Sequence, residues 1–510
     1  MTNQLVWFKR DLRCRDHAAL LAAIQAGPVA CVYIVEPSYW RGEDTSQRQY
    51  EFLRESLRDL FRELKKKHQL TLHVVYGEVV EVMDRLHQQL AFQAIHSHQE
   101  TGNALTFERD RNLAQWCTQH KIAWHEYLQH GVFRRLRSRN TWQSQWESLM
   151  HAPIAELPAG QDAVWPWPPE VWPAWSRWER SEQATPLRQQ GGRSQGMALL
   201  SSFLNTRAAH YRGAISSPLS ASSACSRLSA YLSLGCLSMR ETVLATQERL
   251  DQSPDEQIRK GLRAFLSRLH WHCHFIQKLE SEPAIEWFNM HRGYDDLRES
   301  EWDAQRFERL QSGTTGWPLV DACVRMLRET GWLNFRMRAM LVSVAAYPLW
   351  LHWKPVGDWL ASQFTDYEPG IHWSQMQMQS GTTGINTTRV YNPIKQARDQ
   401  DPEGVFVRRW LPVLRRVPDV WLFEPWKMPA NVQQQCGVVV GQDWPEPVVN
   451  LEYATREAKA RLHQRRAQGP VKAAKAAVLE RHGSRQLRNP AAKKTGAASQ
   501  RANGQLSLDW

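Results

Sequence analysis

The chain has 510 residues, a formal net charge of +12 and 42% hydrophobic residues. This length predicts two to four domains, and the composition is that of a globular protein with enough apolar residues for a core. No apolar run reaches the roughly 18–20 residues that a membrane span needs, and the N-terminus lacks the apolar segment of a signal peptide. Composition therefore excludes an integral membrane protein and predicts a cytoplasmic protein without a membrane partner.

The positive charge is concentrated at the C-terminal end. Residues 455–510 contain 13 Lys and Arg against 3 Asp and Glu, a balance of +10 that leaves only about +2 for the rest of the chain. The high isoelectric point therefore does not by itself indicate a basic groove on the folded body. The eight cysteines have no C-x-x-C pair and no zinc-ligand spacing, which favours reduced thiols over disulfides and predicts no metal cluster.

The first 130 residues alternate between strand-like and helix-like segments. The strand-like segments are short and apolar, and they are QLVWF (4–8), VACVYIV (29–35), LTLHVVYG (70–77) and AIHSHQE (94–100). A long amphipathic helix is predicted over 47–67. Strands alternating with helices are typical of a parallel α/β sheet, so residues 1–130 are predicted to form a Rossmann-like α/β domain.

Three further regions follow from composition. Residues 131–190 include AVWPWPPEVWPAWSRWE (163–179), whose four prolines and five tryptophans predict an extended interdomain linker. Residues 191–450 have the periodicity of a larger all-helical domain. Residues 451–510 are predicted to be a basic helical extension that frays into disorder.

An apolar helix predicted after Gly331, in TGWLNFRMRAMLVSVAAY (330–347), contains two arginines. Arg336 and Arg338 are two positions apart and lie on different faces, so at least one guanidinium must turn toward the interior. An unpaired buried charge costs several kcal/mol, which predicts an anionic partner. Asp366 and Glu368 are the nearest acids that follow, and they are the expected counter-ions.

Two other helical segments carry candidate ligand residues. In ACSRLSAYLSLGCLS (224–238), Ser226, Arg227 and Ser229 lie beside a predicted helix start, where they could bind phosphate or simply cap the helix.

In FLSRLHWHCHFIQKLE (265–280), four side chains on one helical face could line a pocket for a flat ligand, namely Arg268, Trp271, His272 and Phe275. The three histidines at 270, 272 and 274 alternate along the helix, so they do not converge on one metal ion.

Five motifs in the same order resemble the DNA photolyase/cryptochrome family over residues 4 to 426. They are VWFKRDLRCRDHAAL, SRLSAYLSLGCLS, TTGWPLVDACVRMLRETGW, RVYNP and DPEGVFVRRWLPVL. The resemblance implies an α/β antenna domain and an all-helical domain that holds FAD. It also implies a deoxyribodipyrimidine photolyase-like lyase, in which light-excited reduced flavin donates an electron to a pyrimidine dimer flipped out of damaged DNA. The alternative is a cryptochrome-type blue-light photoreceptor, and in either case a monomer is expected.

The resemblance also implies roles for individual residues. The expected cofactor-binding residues are Tyr211, Cys225, Ser226, Arg227, Leu228, Ser229, Arg268, Arg338, Asp366, Tyr367, Glu368 and His372. The expected catalytic residues are Trp271, Arg338, Asp366 and His372. The expected DNA contacts are Trp271, Phe335 and Arg336, and Trp353 is expected to carry electrons.

Several positions depart from the family pattern. Arg268 stands where the family has a carboxylate that reads the dimer, and Met376 and Leu310 replace two members of its three-tryptophan electron chain. A replacement route could use Trp373, Trp350 or Trp359, although core packing is the stronger expectation for each. The two histidines of animal-type (6-4) photolyases correspond to Phe335 and Ala339, so that chemistry is not expected.

A second chromophore is implied less specifically. The segment ETGNALTFERDR (100–111) matches the family's antenna segment, so Glu108 could contact a folate, a deazaflavin or a flavin. The same segment is equally consistent with a solvated helix start.

Overall fold

A computed structural model of the chain describes residues 2–158, 185–386 and 389–484. The N-terminal region forms a parallel sheet of β1 (Gln4–Phe8), β2 (Val29–Val35), β3 (Leu72–Tyr76), β4 (Ala94–His98) and β5 (Ala123–Tyr127) in the order β3-β2-β1-β4-β5. The strand order reverses between β1 and β4, where such sheets usually bind ligands. The predicted α/β fold is confirmed, while β5, a half-exposed edge strand, was missed.

Helices connect these strands and make up most of the remaining described chain. Their bounds are α1 (Ala18–Ala26), α2 (Pro37–Trp40), α3 (Gln47–His68), α4 (Val79–Leu90), α5 (Ala104–His120), α6 (Trp142–Met150), α7 (Arg193–Ser202), α8 (Ala208–Ala214), α9 (Ala221–Ala224), α10 (Ser229–Ser233), α11 (Met239–Gln252), α12 (Glu256–Ser281), α13 (Ala304–Ser312), α14 (Pro318–Thr330), α15 (Phe335–Ala346), α16 (Trp353–Gln363), α17 (Pro369–Ser380), α18 (Pro393–Gln400), α19 (Val405–Trp410), α20 (Ala430–Cys436), α21 (Leu451–Ala467) and α22 (Gly469–His482). Among the described helices, none combines the length and the apolar character required to cross a bilayer.

The two faces of the sheet bury different cores. Leu5 and Trp7 of β1 pack into a cluster confined to the α/β domain. Val6 and Phe8 point to the opposite face, because successive side chains of a strand alternate. They join a larger cluster that continues through the helical region, so one face of the sheet shares its core with the helices.

The helical region is built around α12, which packs against α8, α11 and α17, while α15 also packs against α17. Gly261 allows the close approach of α12 to α8, because a Cβ atom there would lie 1.8 Å from the carbonyl oxygen of Ala208. Between these helices lies the cavity described below.

The basic extension folds back on the helical region as far as it is described. Arg461 contacts Glu301 at 2.6 Å, and the Arg465 Nε donates to the carbonyl oxygen of Gly293 at 2.7 Å. His482 lies 2.7 Å from Glu282. Residues 451–482 are therefore mostly helical and packed, whereas the Trp- and Pro-rich segment and residues 485–510 lie outside the described residues. The domain boundaries at 130, 190 and 450 stay a prediction.

The contact between α8 and α12 generates a paired prediction. Gly261→Ala should destabilise the fold by about 1–3 kcal/mol, because the added methyl group has no space and the backbone must shift. Gly213→Ala, also in a helix but with no atom within 4 Å of the added Cβ, should be neutral or stabilising by up to about 1 kcal/mol. Thermal unfolding midpoints test the pair, and equal midpoints would contradict the packing argument.

Candidate functional site

The principal cavity lies among α8, α10, α12, α15, α16 and α17 and has an empty volume of about 1240 Å³ including its open mouth. Every residue that the family resemblance assigns to the cofactor lines it: Tyr211, Cys225, Ser226, Arg227, Leu228, Ser229, Arg268, Arg338, Asp366, Tyr367, Glu368 and His372. Phe335, expected to contact DNA, also lines it. Segments separated by more than 150 residues thus meet in one cavity.

Arg338 and Asp366 form the predicted ion pair. The Arg338 Nη2 atom donates to Asp366 Oδ2 at 2.8 Å, and its Nε atom donates to the carbonyl oxygen of Leu333 at 2.8 Å. The guanidinium also lies over the ring of Phe364 at 4.0 Å. The pairing is confirmed, and the interior that Arg338 faces is the cavity itself.

Gly331 positions this pair. It ends α14 with a φ of +66°, and a Cβ atom there would lie 2.2 Å from Thr365 Oγ1. The carbonyl oxygen of Gly331 accepts a hydrogen bond from the Thr365 N–H at 3.0 Å. A glycine is required because only it tolerates both the left-handed conformation and the close approach. The segment that carries Asp366 is thereby held beside the start of α15.

One atom of the pair is available to a ligand. Asp366 Oδ1 is buried, and within the described residues it accepts no hydrogen bond. A buried acceptor without a donor costs free energy, which a bound group with an N–H or O–H can recover. This atom supports the presence of a donor-bearing ligand beside the ion pair.

The segment 225–229 forms another wall of the cavity. Arg207 donates to the carbonyl oxygens of Cys225 and Ser226, which fixes the backbone of this segment. Arg227 has a φ of +61°, and its guanidinium lies over the ring of Trp332 at 3.8 Å. Gln189 accepts from Arg227 Nη2 at 3.0 Å, which holds the guanidinium in place. The segment is therefore a fixed, polar wall.

The cavity carries excess positive charge. Arg227, Arg268 and Arg338 line it, and Arg10 contacts it through Glu368, whereas the acids are Asp366 and Glu368; four cations against two anions leave a balance of +2. Burial lowers the pKa of Arg227 and of Arg268 to about 10, so both remain charged at neutral pH. A ligand with two negative charges, such as a dinucleotide diphosphate, would balance this excess.

His372 is a neutral residue of the cavity wall. Its Nε2 atom lies 2.9 Å from the carbonyl oxygen of Gly357, which can only accept, so Nε2 carries the proton and Nδ1 is left as an acceptor. Burial lowers the pKa of His372 to about 3. It therefore offers an uncharged acceptor rather than an acid at neutral pH.

Some predicted site residues are not brought into this cavity. Trp271 packs against the rings of His274 at 4.9 Å and Phe275 at 5.7 Å, and neither Trp271 nor Arg336 is among the lining residues. On α12 the cavity is lined instead by Arg268 and by His272, the neighbour of Trp271. The roles of Trp271 and Arg336 in DNA contact stay predictions.

Trp353 also lies behind the cavity wall. It is 1% exposed, and its Nε1 atom donates to Asn289 Oδ1 at 2.8 Å. The ring of Trp373 lies between it and the wall, with ring centroids 6.0 Å from Trp353 and 4.8 Å from His372. Met376, expected from the family resemblance to replace an indole, lines the cavity. Electron transfer by Trp353 stays a prediction.

A second cleft lies at the carboxyl ends of β1 and β2 and has an empty volume of about 690 Å³. Arg109 lines it and contacts Glu36 at 2.9 Å and Glu100 at 2.7 Å. Glu108 is exposed and does not line the cleft, because adjacent positions of a helix point in different directions. Any contact between an antenna chromophore and this segment is therefore expected at Arg109 rather than at Glu108.

The two cavities share a wall that the sequence did not reveal. Tyr367 lines both, and Arg10 of the second cleft donates to Glu368 of the principal cavity at 3.1 Å. Residues 10 and 368 are too far apart in sequence for any local pattern to pair them. The one available signal was an arginine two positions after the end of a buried strand.

A buried cluster near the end of β1 has the residue types of a metal site. Asp11 Oδ2 lies 3.0 Å from His17 Nε2 and 2.7 Å from His98 Nδ1. The His17 Nδ1 atom accepts from the Leu20 N–H at 3.0 Å, so its Nε2 atom carries the proton. The His98 contact is a direct hydrogen bond, the His17 contact is a close approach of the ring nitrogen to the carboxylate, and together they hold the loop after β1 in place.

Comparison with known proteins places this arrangement in a family. Residues 4–143 match the family profile described as DNA photolyase, and residues 265–464 match the FAD binding domain of DNA photolyase. A cryptochrome DASH of Gloeobacter violaceus is 30% identical, with 88% of this chain and 93% of that protein aligned. A deoxyribodipyrimidine photo-lyase of Vibrio cholerae is 27% identical, with 84% and 94% aligned.

A solved structure supports the fold independently. The archaeal photolyase of Sulfolobus tokodaii, crystallised with two FAD molecules, has a TM-score of 0.72 and 24% identity over 91% of this chain and all of that one. The chain belongs to the DNA photolyase/cryptochrome family and has that family's FAD-binding domain. The residues of the principal cavity fit FAD, because a buried carboxylate oxygen without a donor and an excess of two positive charges match its donors and its diphosphate.

Removal of the charge on Asp366 should weaken FAD binding. Asp366→Asn leaves Arg338 without its counter-ion at 2.8 Å, so FAD affinity should fall on the order of 10–100-fold. Asp358→Asn, which removes a carboxylate paired with Lys354 outside the cavity lining, is the matched control. The ratio of flavin to protein absorbance after purification measures retention. A normal ratio in Asp366→Asn would contradict the assignment.

Proposed function

We propose that this protein is a light-driven, FAD-dependent enzyme that repairs pyrimidine dimers in DNA by electron transfer to a flipped-out lesion. The observation that carries the proposal is the large open cavity. It is lined both by the residues expected to bind the cofactor and by Phe335, which is expected to contact DNA. Small-molecule sites are usually concave, largely pre-formed and lined by apolar groups with a few polar ones, and this cavity has that character and an open mouth that a second ligand could enter. A flipped base requires such an opening, because chemistry cannot reach it inside the duplex.

The chain's own residues have distinct tasks in this proposal. Arg338 and Asp366 supply paired charges beside the flavin, and the 225–229 segment binds its diphosphate. His372 offers a neutral acceptor at the cavity wall, since its Nε2 proton is held by Gly357. The bound FAD supplies the light-driven electron transfer, and the protein positions it and excludes water.

One observation favours a second candidate, a cryptochrome-type photoreceptor. Arg268 stands where the family has a dimer-reading carboxylate, and it hydrogen-bonds to Tyr211 on the wall of the cavity. This change supports lost or altered lesion recognition. Relatives of both kinds match the chain, so the fold does not distinguish a repair enzyme from a photoreceptor. A measurement of activity is needed to distinguish them.

The deciding experiment is repair of defined lesions. The purified protein with reduced flavin is illuminated with DNA that carries one cyclobutane dimer or one (6-4) product, and a dark sample serves as the control. We expect the absorbance of intact bases to return for the cyclobutane dimer only. Repair of neither lesion, together with light-dependent protease sensitivity of the C-terminal region, would favour the photoreceptor.

The C-terminal residues generate a separate prediction about DNA binding. Residues 485–510 contain five Lys and Arg and one Asp. Their deletion should make the plot of log K for DNA binding against log[salt] less steep, with a slope smaller in magnitude by up to about 4. The reason is that fewer counter-ions are released when DNA binds. Replacement of these five residues by Gln in the full chain is the matched control. An unchanged slope in both would mean that this segment does not contact DNA.

We also propose a cytoplasmic location, a monomeric state and an antenna chromophore in the second cleft. The eight cysteines are all unpaired and buried, which suits a reducing compartment. The cleft opens at the carboxyl ends of parallel strands, the usual place for a ligand in such sheets. Size-exclusion chromatography and the absorbance of extracted chromophores test the last two points.

A further inference from the structure

Arg10 crosses from the α/β domain to the helical region. It follows β1, and its Nη2 atom donates to Glu368 Oε2 at 3.1 Å and to the carbonyl oxygen of Tyr367 at 2.9 Å. Its Nε atom donates to the carbonyl oxygen of Ser233 at 2.8 Å. The side chains of Arg10 and Glu368 are 15% and 8% exposed, so solvent screens their interaction little. These contacts fix the guanidinium in a single orientation.

The pair lies where the two cavities meet. Arg10 lines the second cleft, Glu368 lines the principal cavity, and Tyr367 lines both. The carboxylate of Glu368 thus faces the FAD site on one side and is held from behind by a residue of another domain. A substitution of Arg10 therefore alters the environment of Glu368 in the FAD site, although Arg10 itself does not line that site.

The protonation state of Glu368 decides what it offers a ligand. An ionised carboxylate only accepts hydrogen bonds, whereas a neutral carboxylic acid also donates one. Burial raises the pKa of Glu368 to about 7, and the nearby charge of Arg10 opposes this rise. Near neutral pH, the guanidinium is therefore what favours the accepting form.

We propose that Arg10 is a positioning residue of the FAD site, which holds Glu368 as an ionised hydrogen-bond acceptor. The ligand group that such an acceptor selects is a donor, either a hydroxyl of the sugar-alcohol chain or an N–H of the flavin ring. The inference rests on the proposed binding of FAD in this cavity and does not depend on DNA repair.

Three titratable groups near the pair, Tyr39, Cys273 and His272, do not change charge in the same range. Burial raises the pKa of Tyr39 well above its usual value and that of Cys273 to about 11. Burial and the charge of Arg10 lower the pKa of His272 to about 4. Glu100, which contacts Arg109, adds a negative charge that acts on Glu368 against Arg10. Burial also raises the pKa of Glu36 in the second cleft to about 7, but Glu36 pairs with Arg109 at 2.9 Å and does not line the principal cavity. Glu368 is thus the cavity-lining group near Arg10 that is poised to titrate around neutrality.

The test follows FAD release from the loaded protein as a function of pH. The fluorescence of released FAD is measured between pH 5.5 and 9.5 for the wild type, Arg10→Gln and Arg10→Lys. Retention requires the carboxylate, so FAD is held above the pKa of Glu368 and lost as the pH falls through it. The wild-type midpoint is expected at or below about pH 7.

Removal of the guanidinium should raise the pKa of Glu368, and with it the midpoint of retention, by about one to two pH units. Arg10→Gln should then lose FAD at pH 7 and recover retention near pH 9. Its release at pH 7 should be about tenfold faster for every pH unit by which the midpoint rises. Arg10→Lys should raise the midpoint less, because it keeps the charge without the two-pronged geometry. If Arg10→Gln fails to fold, the midpoint of Arg10→Lys decides the question.

Two further variants separate positioning from general structural support. Glu368→Gln removes the titrating group, so retention should no longer vary over this range, and adding Arg10→Gln to it should produce no pH-dependent loss. Arg193→Gln is the matched control, since it breaks a comparably buried Arg–Glu pair at 2.7 Å that lies away from the cavity. It should leave the midpoint at the wild-type value.

Three results would overturn the inference. The first is that both Arg10 variants release FAD with the same midpoint as the wild type. The second is that FAD release from the wild type does not depend on pH. The third is that Arg10→Gln and Arg193→Gln lose FAD equally at every pH. Failure of lesion repair with the expected Arg10 profile would count against the proposed function alone. Normal repair with an unchanged midpoint would count against Arg10 alone.

Discussion

The ion pair between Arg338 and Asp366 is the interaction on which the principal cavity depends. Two charges held 2.8 Å apart at the wall of a weakly polar space stabilise each other only while both are present. Gly331 makes this distance possible by letting the 365–368 segment approach the end of α14. The pair in turn leaves Asp366 Oδ1 buried without a donor, and the cavity becomes complete when a ligand supplies one.

Charge balance explains how the remaining wall suits a dinucleotide. Arginines exceed carboxylates around the cavity, and Arg207 and Gln189 fix the polar segment that faces it. Such an excess would destabilise an empty protein through repulsion, but it favours a ligand with a diphosphate. Arg268 contributes to this excess, and its guanidinium is hydrogen-bonded to Tyr211 on the cavity wall.

Two domains contribute to this environment. The sheet supplies Arg10 at the carboxyl end of β1, and the helical region supplies Tyr367 and Glu368 at the start of α17. Because one face of the sheet shares its core with the helices, the guanidinium reaches the cavity wall from a fixed base. The FAD site is therefore helical in its lining and dependent on the α/β domain for the state of one carboxylate.

The sequence by itself determined the architecture and most of the residues that line the principal cavity. Alternating apolar patterns located β1 to β4 and α3, and the family motifs identified the residues that line the principal cavity. The reason is that periodicity and motif order are local properties of the chain. The edge strand β5 escaped because it is half exposed and lacks a continuous apolar run.

Only the tertiary structure decided which of two adjacent helical residues faces a cavity. His272 lines the principal cavity rather than Trp271, and Arg109 lines the second cleft rather than Glu108. A single position changes the direction of a helical side chain by about 100°, so the phase of each helix must be known. Arg10 and Glu368 meet across 358 positions of sequence, and such a contact follows from packing alone.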